Sequence, residues 1–207
     1  GIRIISSGRR SRGVTLTELD GFGVDPAQTR SLFMERLSAL RAILATGTVV
    51  RDGKTLDVLP PPDPRLRHGW MAAVSPESFD LAAELGLDVL TGPFKPWQMI
   101  KADLARYRSR RPDGRTSFTI IAYCEPDGAA ARRRAEPGIL WAFRKIFEVS
   151  RPLLARQIAG YEHYRKLGRL RGLLDAVLSL PVLEAMGLAV VGTPEDVARR
   201  LAALQET

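Results

Sequence analysis

Short runs of apolar and β-branched residues recur along the chain, and most of them run into a helical segment with a recognisable start. The strand-like runs are Ile2 to Ser6, Trp70 to Val74, Leu87 to Thr91, Thr116 to Cys124 and Gly187 to Val191. Their lack of polar alternation suits burial on both faces, and their alternation with helices restricts the chain to parallel β/α units. In such folds ligands bind beyond the carboxyl ends of the strands, whether the sheet is open or closed into a barrel. The loops expected at that face are Ser7 to Thr17, Ser75 to Ser78, Gly92 to Pro96 and the segment after Cys124.

The helical segments carry their own punctuation. Asp25-Pro26-Ala27-Gln28 starts a helix whose stripe of Leu32, Phe33, Leu37, Leu40, Ile43 and Leu44 ends at Gly47. Asp52-Gly53 turns a small hairpin, and Pro60 to Pro64 forms an extended connector. A helix is expected from Trp97 to about Arg108, and another from Asp127 to Ala135, interrupted by Glu136-Pro137. From Gly138 to Leu180 the pattern is mostly helical, with breaks at Pro152, Gly160, Gly168 and Gly172. Thr193-Pro194-Glu195-Asp196 starts the last helix.

The run Trp70 to Val74 meets Ser75-Pro76-Glu77-Ser78, in which Ser75 caps a helix and Pro76 takes its first position. A strand feeding a helix in this way leaves backbone N–H groups and two hydroxyls facing one point. This suits an anion, because a helix N-terminus carries partial positive charge. An ordinary capped helix is the plainer reading of the same residues.

Charge and composition exclude other classes. The excess of 31 Lys and Arg over 23 Asp and Glu, a net +8, permits nucleic acid or a phosphate-bearing ligand. The basic clusters Arg108 to Arg111 and Arg132 to Arg134 lack the interleaved aromatics of a single-strand groove, so both read as solvated helix faces. No membrane-length apolar run exists, and the lone Cys124 cannot form an internal disulfide, which points to a cytoplasmic protein. The two histidines, His68 and His163, have no partners at metal-ligand spacing, so no metal is expected. Gly8 to Gly13 lacks the glycines of a dinucleotide fingerprint or P-loop. Trp70, Trp97 and Trp141 read as core or interface residues, with Trp97 and Phe94 as alternative pocket residues.

Several motifs in order resemble the bacterial luciferase-like flavin-dependent monooxygenases. They are Arg12-Gly13, Glu18, Phe22-Gly23, the helix from Asp25, the Asp52-Gly53 hairpin and the Pro60 to Pro64 connector. The serine-rich turn after Ala73, the run from Gly86 to Thr91 and Val191-Gly192-Thr193-Pro194-Glu195 complete the series. The resemblance implies an α/β fold, a partial (β/α) barrel of the luciferase-like TIM-barrel type, lacking N-terminal strands and the last strand. Residues 1–207 would then be a single domain, a fragment of that barrel.

The resemblance implies further that Arg12, Ser75 and Ser78, with the Val74 backbone, hold the phosphate of reduced flavin mononucleotide (FMN). Thr91, Gly92 and Phe94 would lie near the flavin or substrate. Gly8-Arg9-Arg10-Ser11 replaces the family's small or apolar residues before Arg-Gly, so Arg9 or Arg10 is an alternative phosphate partner. His68-Gly69 stands where the family has a proline pair. The implied activity is oxygenation of a small organic substrate by reduced FMN and dioxygen, with a flavin reductase and a second copy of the chain as partners. The catalytic residues are expected in strands outside this stretch. Two alternatives stay open: a deazaflavin-dependent hydride transfer, and a non-catalytic flavin-binding or structural homologue.

Overall fold

A computed structural model describes residues 9–10, 15–155 and 178–205. Its parallel strands are β1 (Arg9–Arg10), β4 (Trp70–Ala72), β5 (Asp88–Thr91), β6 (Thr116–Phe118), β7 (Ile121–Cys124) and β8 (Ala189–Gly192). The antiparallel hairpin β2 (Thr48–Arg51) and β3 (Lys54–Asp57) stands apart from them. The helices are α1 (Leu16–Gly21), α2 (Thr29–Thr46), α3 (Pro76–Glu84) and α4 (Trp97–Arg110), then α5 (Gly128–Ala155), α6 (Leu180–Ala185) and α7 (Pro194–Gln205).

The sheet order is β1-β4-β5-β6, and β7 pairs with β8. Two residues separate β6 from β7, so the chain hands its pairing from β5 to β8 within one extended stretch. The result is a run of parallel strands with helices packed on it, as a partial β/α barrel requires. One core gathers Met71, Ala73, Phe79, Val89, Ile100 and Tyr107 beneath α3 and α4. A second gathers Ala131, Phe143, Leu180, Leu183, Ala189 and Val191 around α5, α6 and β8.

Local chemistry explains most boundaries. Asp25 accepts from Ala27 N–H at 2.9 Å and starts a short 310 turn before α2, which Gly47 ends at φ 73°. Asp52 at φ 51° and Gly53 at φ 73° make the hairpin turn. Asp196 N–H donates to Thr193 Oγ1 at 3.2 Å at the head of α7.

Four expectations are corrected. Arg9 and Arg10 lie in a strand, in register with Trp70 and Met71, and not in a loop. Helix α1 was not anticipated, although Thr15 Oγ1 accepts from Glu18 N–H at 3.2 Å in a capping arrangement spelled out by the sequence. The stretch from Thr116 to Cys124 is split in two by the change of partner, and Ala122, Tyr123 and Cys124 are exposed rather than buried on both faces. Finally, α5 runs unbroken through Pro137 and Pro152. Buried Ala131 and Ala135 precede Pro137, and buried Ile139 and Phe143 follow it on the same stripe. Their packing outweighs the single N–H that Pro137 removes. The expected strand Ile2 to Ser6, and the breaks at Gly160, Gly168 and Gly172, lie outside the described residues.

The head of α5 gives a pH-dependent prediction. Asp127 Oδ1 accepts from Ala129 N–H at 2.8 Å and Ala130 N–H at 3.2 Å. The bond from Ala130, then that from Ala129, holds its carboxyl below the usual carboxylate range. A carboxyl whose pKa is depressed on folding stabilises above its unfolded pKa, and loses that contribution as pH falls through the folded value. Asp127→Ala is therefore expected to lower Tm at neutral pH, with the gap closing on acidification. Calorimetry at a series of pH values checks this, and a gap independent of pH would contradict it.

Candidate functional site

Strand β4 ends at Ala72, yet Ala73 N–H still bonds Leu90 O at 2.9 Å, so the β4 and β5 ends stay side by side. Ser75 takes the N-cap position of α3 at φ −88° and ψ 151°. Its hydroxyl makes no capping bond; instead Ser75 Oγ and Ser78 Oγ lie 2.8 Å apart, while Ser78 N–H donates to Ser75 O at 2.9 Å. Both serines are buried. A hydroxyl pair uses one of its two hydrogens internally and leaves the other to turn toward a third oxygen. The expected juxtaposition of two hydroxyls at a helix N-terminus is thus present. The donor set fits a phosphate: neutral hydroxyls and a helix dipole, with no carboxylate among the hydrogen-bond partners of the two hydroxyls within the described residues.

At the end of β5, Thr91 is buried and its carbonyl accepts from Thr119 N–H at 3.0 Å. A Cβ on Gly92 would lie 2.9 Å from Thr119 Oγ1 and 3.0 Å from Phe94 Cε2, so a larger residue here would require the Thr119 and Phe94 side chains to shift. Phe94, 39% exposed, presents ring surface at this strand end. Thr91 closes β5, and Gly92 and Phe94 follow it in the loop beside the Ser75 turn.

Sequence reasoning missed the group that ties these two loops together. Lys95, 2% exposed, donates from Nζ to Val74 O at 2.5 Å and forms an ion pair with Asp103 of α4. The same Nζ stands 5.4 Å from the Phe79 ring centroid. A signal existed. Asp103 falls on the stripe of Ile100, Leu104 and Tyr107, the buried face of α4, where a lone carboxylate demands a partner.

Other expected residues are placed less centrally. Arg12 and His163 lie outside the described residues. His68 is exposed ahead of β4, away from the carboxyl strand ends. Trp97 packs its ring 5.0 Å from that of Phe118, whereas Trp141 is 63% exposed and is not in the core. At the end of β7, the Tyr123 hydroxyl donates to Glu125, whose carboxylate also receives Arg134 at 2.8 Å. Those bonds, that of Tyr123 first, hold the Glu125 carboxyl below its usual range. Among the described residues no cluster of metal-ligating side chains occurs, and no helix is long and apolar enough to cross a membrane.

Comparison with known proteins gives three findings. The family profile described as luciferase-like monooxygenase matches residues 11–207. The fold is similar to that of monooxygenase RslO1 from Streptomyces bottropensis, at 20% identity and TM-score 0.64, covering 97% of this chain and 57% of that one. It is also similar to the oxygenating constituent of 3,6-diketocamphane monooxygenase from Pseudomonas putida, a type II Baeyer-Villiger monooxygenase in complex with FMN. That likeness has 16% identity and TM-score 0.64, and covers 97% of this chain and 60% of that one. The chain thus spans less than two thirds of the length of these structures. A search of the curated proteins returns no match.

Proposed function

We propose, from the premise that the chain belongs to the luciferase-like monooxygenase family, that it binds reduced FMN and takes part in oxygenating a small organic substrate. The observation that carries the proposal is the Ser75–Ser78 hydroxyl pair, 2.8 Å apart at the N-terminus of α3. Support also comes from the direction of β1. It runs parallel to β4, the strand that leads into Ser75, with Arg10 in register with Met71. Arg12, two residues on, is the proposed charged partner of the phosphate, with the Val74–Ser75 peptide beside it. When bound, reduced flavin supplies the two electrons for dioxygen cleavage, one oxygen atom going to the substrate and the other to water.

In this reading the chain's own residues bind and shape the site. Ser75 and Ser78 anchor the phosphate, while Thr91, Gly92 and Phe94 border the flavin or substrate. Gly92 lets the loop lie close against Thr119, and Phe94 gives an apolar wall that keeps water from the reacting face.

The test is anaerobic titration of the protein with reduced FMN, beside an Arg12→Ala, Ser75→Ala double variant. Losing bonds to a charged phosphate is expected to weaken binding by about 100-fold or more. Equal, tight binding by both would overturn the assignment and transfer the charged role to Arg9 or Arg10. No binding by either would favour a deazaflavin.

A further inference from the structure

We propose that Lys95 and Asp103 are a positioning pair that aims the Ser75 backbone N–H, and so gives the turn its preference for a phosphorylated flavin. The inference rests on the phosphate reading above. Burying an ammonium and a carboxylate is expensive even when they are paired. The structure nevertheless places the Lys95 side chain at 1% exposure and that of Asp103 at 11%, directly beneath the β4 end. Structural stapling alone does not need this pair, because α3 and α4 are already joined at their surface. There Asp80 accepts from Arg106 Nε at 2.7 Å and lies 3.0 Å from Arg110.

The distinctive bond of Lys95 is the one to Val74 O, at 2.5 Å. Val74 O and the Ser75 N–H belong to one peptide unit, and among the described residues only Leu59-Pro60 is cis. In a trans peptide the carbonyl and N–H point in opposite directions in one plane. Drawing the carbonyl toward a buried ammonium therefore fixes the Ser75 N–H on the opposite side. The bond also polarises the peptide and makes that N–H a stronger donor to an anion. Asp103 holds the ammonium from α4, and the Phe79 ring of α3 faces it at 5.4 Å, so three elements define its position. Lys95 acts on the phosphate through the peptide, since its own side chain is sealed from the surface.

The probe is the ratio of affinities for reduced FMN and reduced riboflavin, which differ by the phosphate alone, measured anaerobically. The wild type is expected to favour FMN by about 100-fold. In a Lys95→Met, Asp103→Leu double variant, which leaves no unpaired charge, that preference is expected to fall about tenfold with riboflavin affinity unchanged. Asp80→Asn, which breaks only the surface pairing of α3 and α4, should leave the ratio at its wild-type value. A full FMN preference in the double variant would overturn the inference while sparing the phosphate site. A parallel loss of FMN and riboflavin affinity would also overturn it, since that is general loosening. Absence of any preference in the wild type would remove the phosphate reading, and this inference with it. Asp103→Asn, a milder change that keeps the ammonium, should shift the ratio in the same direction, and an unmoved ratio there would count against the pair.

Discussion

Replacing Lys95 by methionine, with Asp103 left in place, should cost about 3–5 kcal/mol of folding stability, because a buried carboxylate loses its counter-ion. Asp103 is 8% exposed and sits on the apolar face of α4, so water cannot easily replace the ammonium. Replacing both residues by apolar ones of similar volume should recover most of the loss. What then remains is the Val74 carbonyl without its donor, a cost of about 1–3 kcal/mol, set against relief from desolvating two charges. Urea unfolding of the two single variants and the double variant gives the coupling directly. If the two single costs simply added, the pair would be independent charges, and its geometry would carry no meaning. Strong coupling would show that Lys95 and Asp103 form one unit, and that the double variant is a fair vehicle for the flavin titration.

What could be read from the sequence was mainly local. Ser75 and Ser78 are three residues apart across a cap with Pro76 at the first helical position, so their meeting follows from helix geometry alone. The Asp52-Gly53 hairpin and the Gly47 stop were legible for the same reason, each being set by a positive φ that glycine or a turn Asp accepts. The alternation of strands and helices was enough to give a parallel α/β architecture, since few other arrangements bury apolar strands on both sides.

What stayed hidden depends on residues far apart in the chain. Periodicity cannot show that Lys95 in a loop reaches back 21 residues to Val74 O, although Asp103 on an apolar stripe advertised the need for a cation. Nor can it show that the run from Thr116 to Cys124 changes partner midway, because no glycine, proline or other turn residue marks the handover at Thr119-Ile120. Pro137 misled because a helix break is the local preference, whereas the outcome was set by the apolar stripe continuing on both sides of it.

Gly187→Ala is expected to destabilise the chain by about 2–4 kcal/mol, combining a strained left-handed alanine with overpacking. Gly187 has φ +69°, and a Cβ there would lie 2.6 Å from Trp97 Cβ, a separation that side-chain rotation cannot relieve. The position matters beyond its own strain. Trp97 N–H donates to Met186 O at 2.8 Å, and its ring packs on Phe118, so this contact joins the core under α3 and α4 to the loop between α6 and β8. Leu188, the next residue, belongs to the second core. If 1–207 behaves as one domain, the wild type should unfold in a single transition seen alike by tryptophan fluorescence and far-ultraviolet circular dichroism. In Gly187→Ala the two signals should separate, as the halves lose the close approach that couples them. A variant with wild-type stability would mean that the loop can move away from Trp97 at no cost, and that cooperativity resides in the handover from β6 to β7.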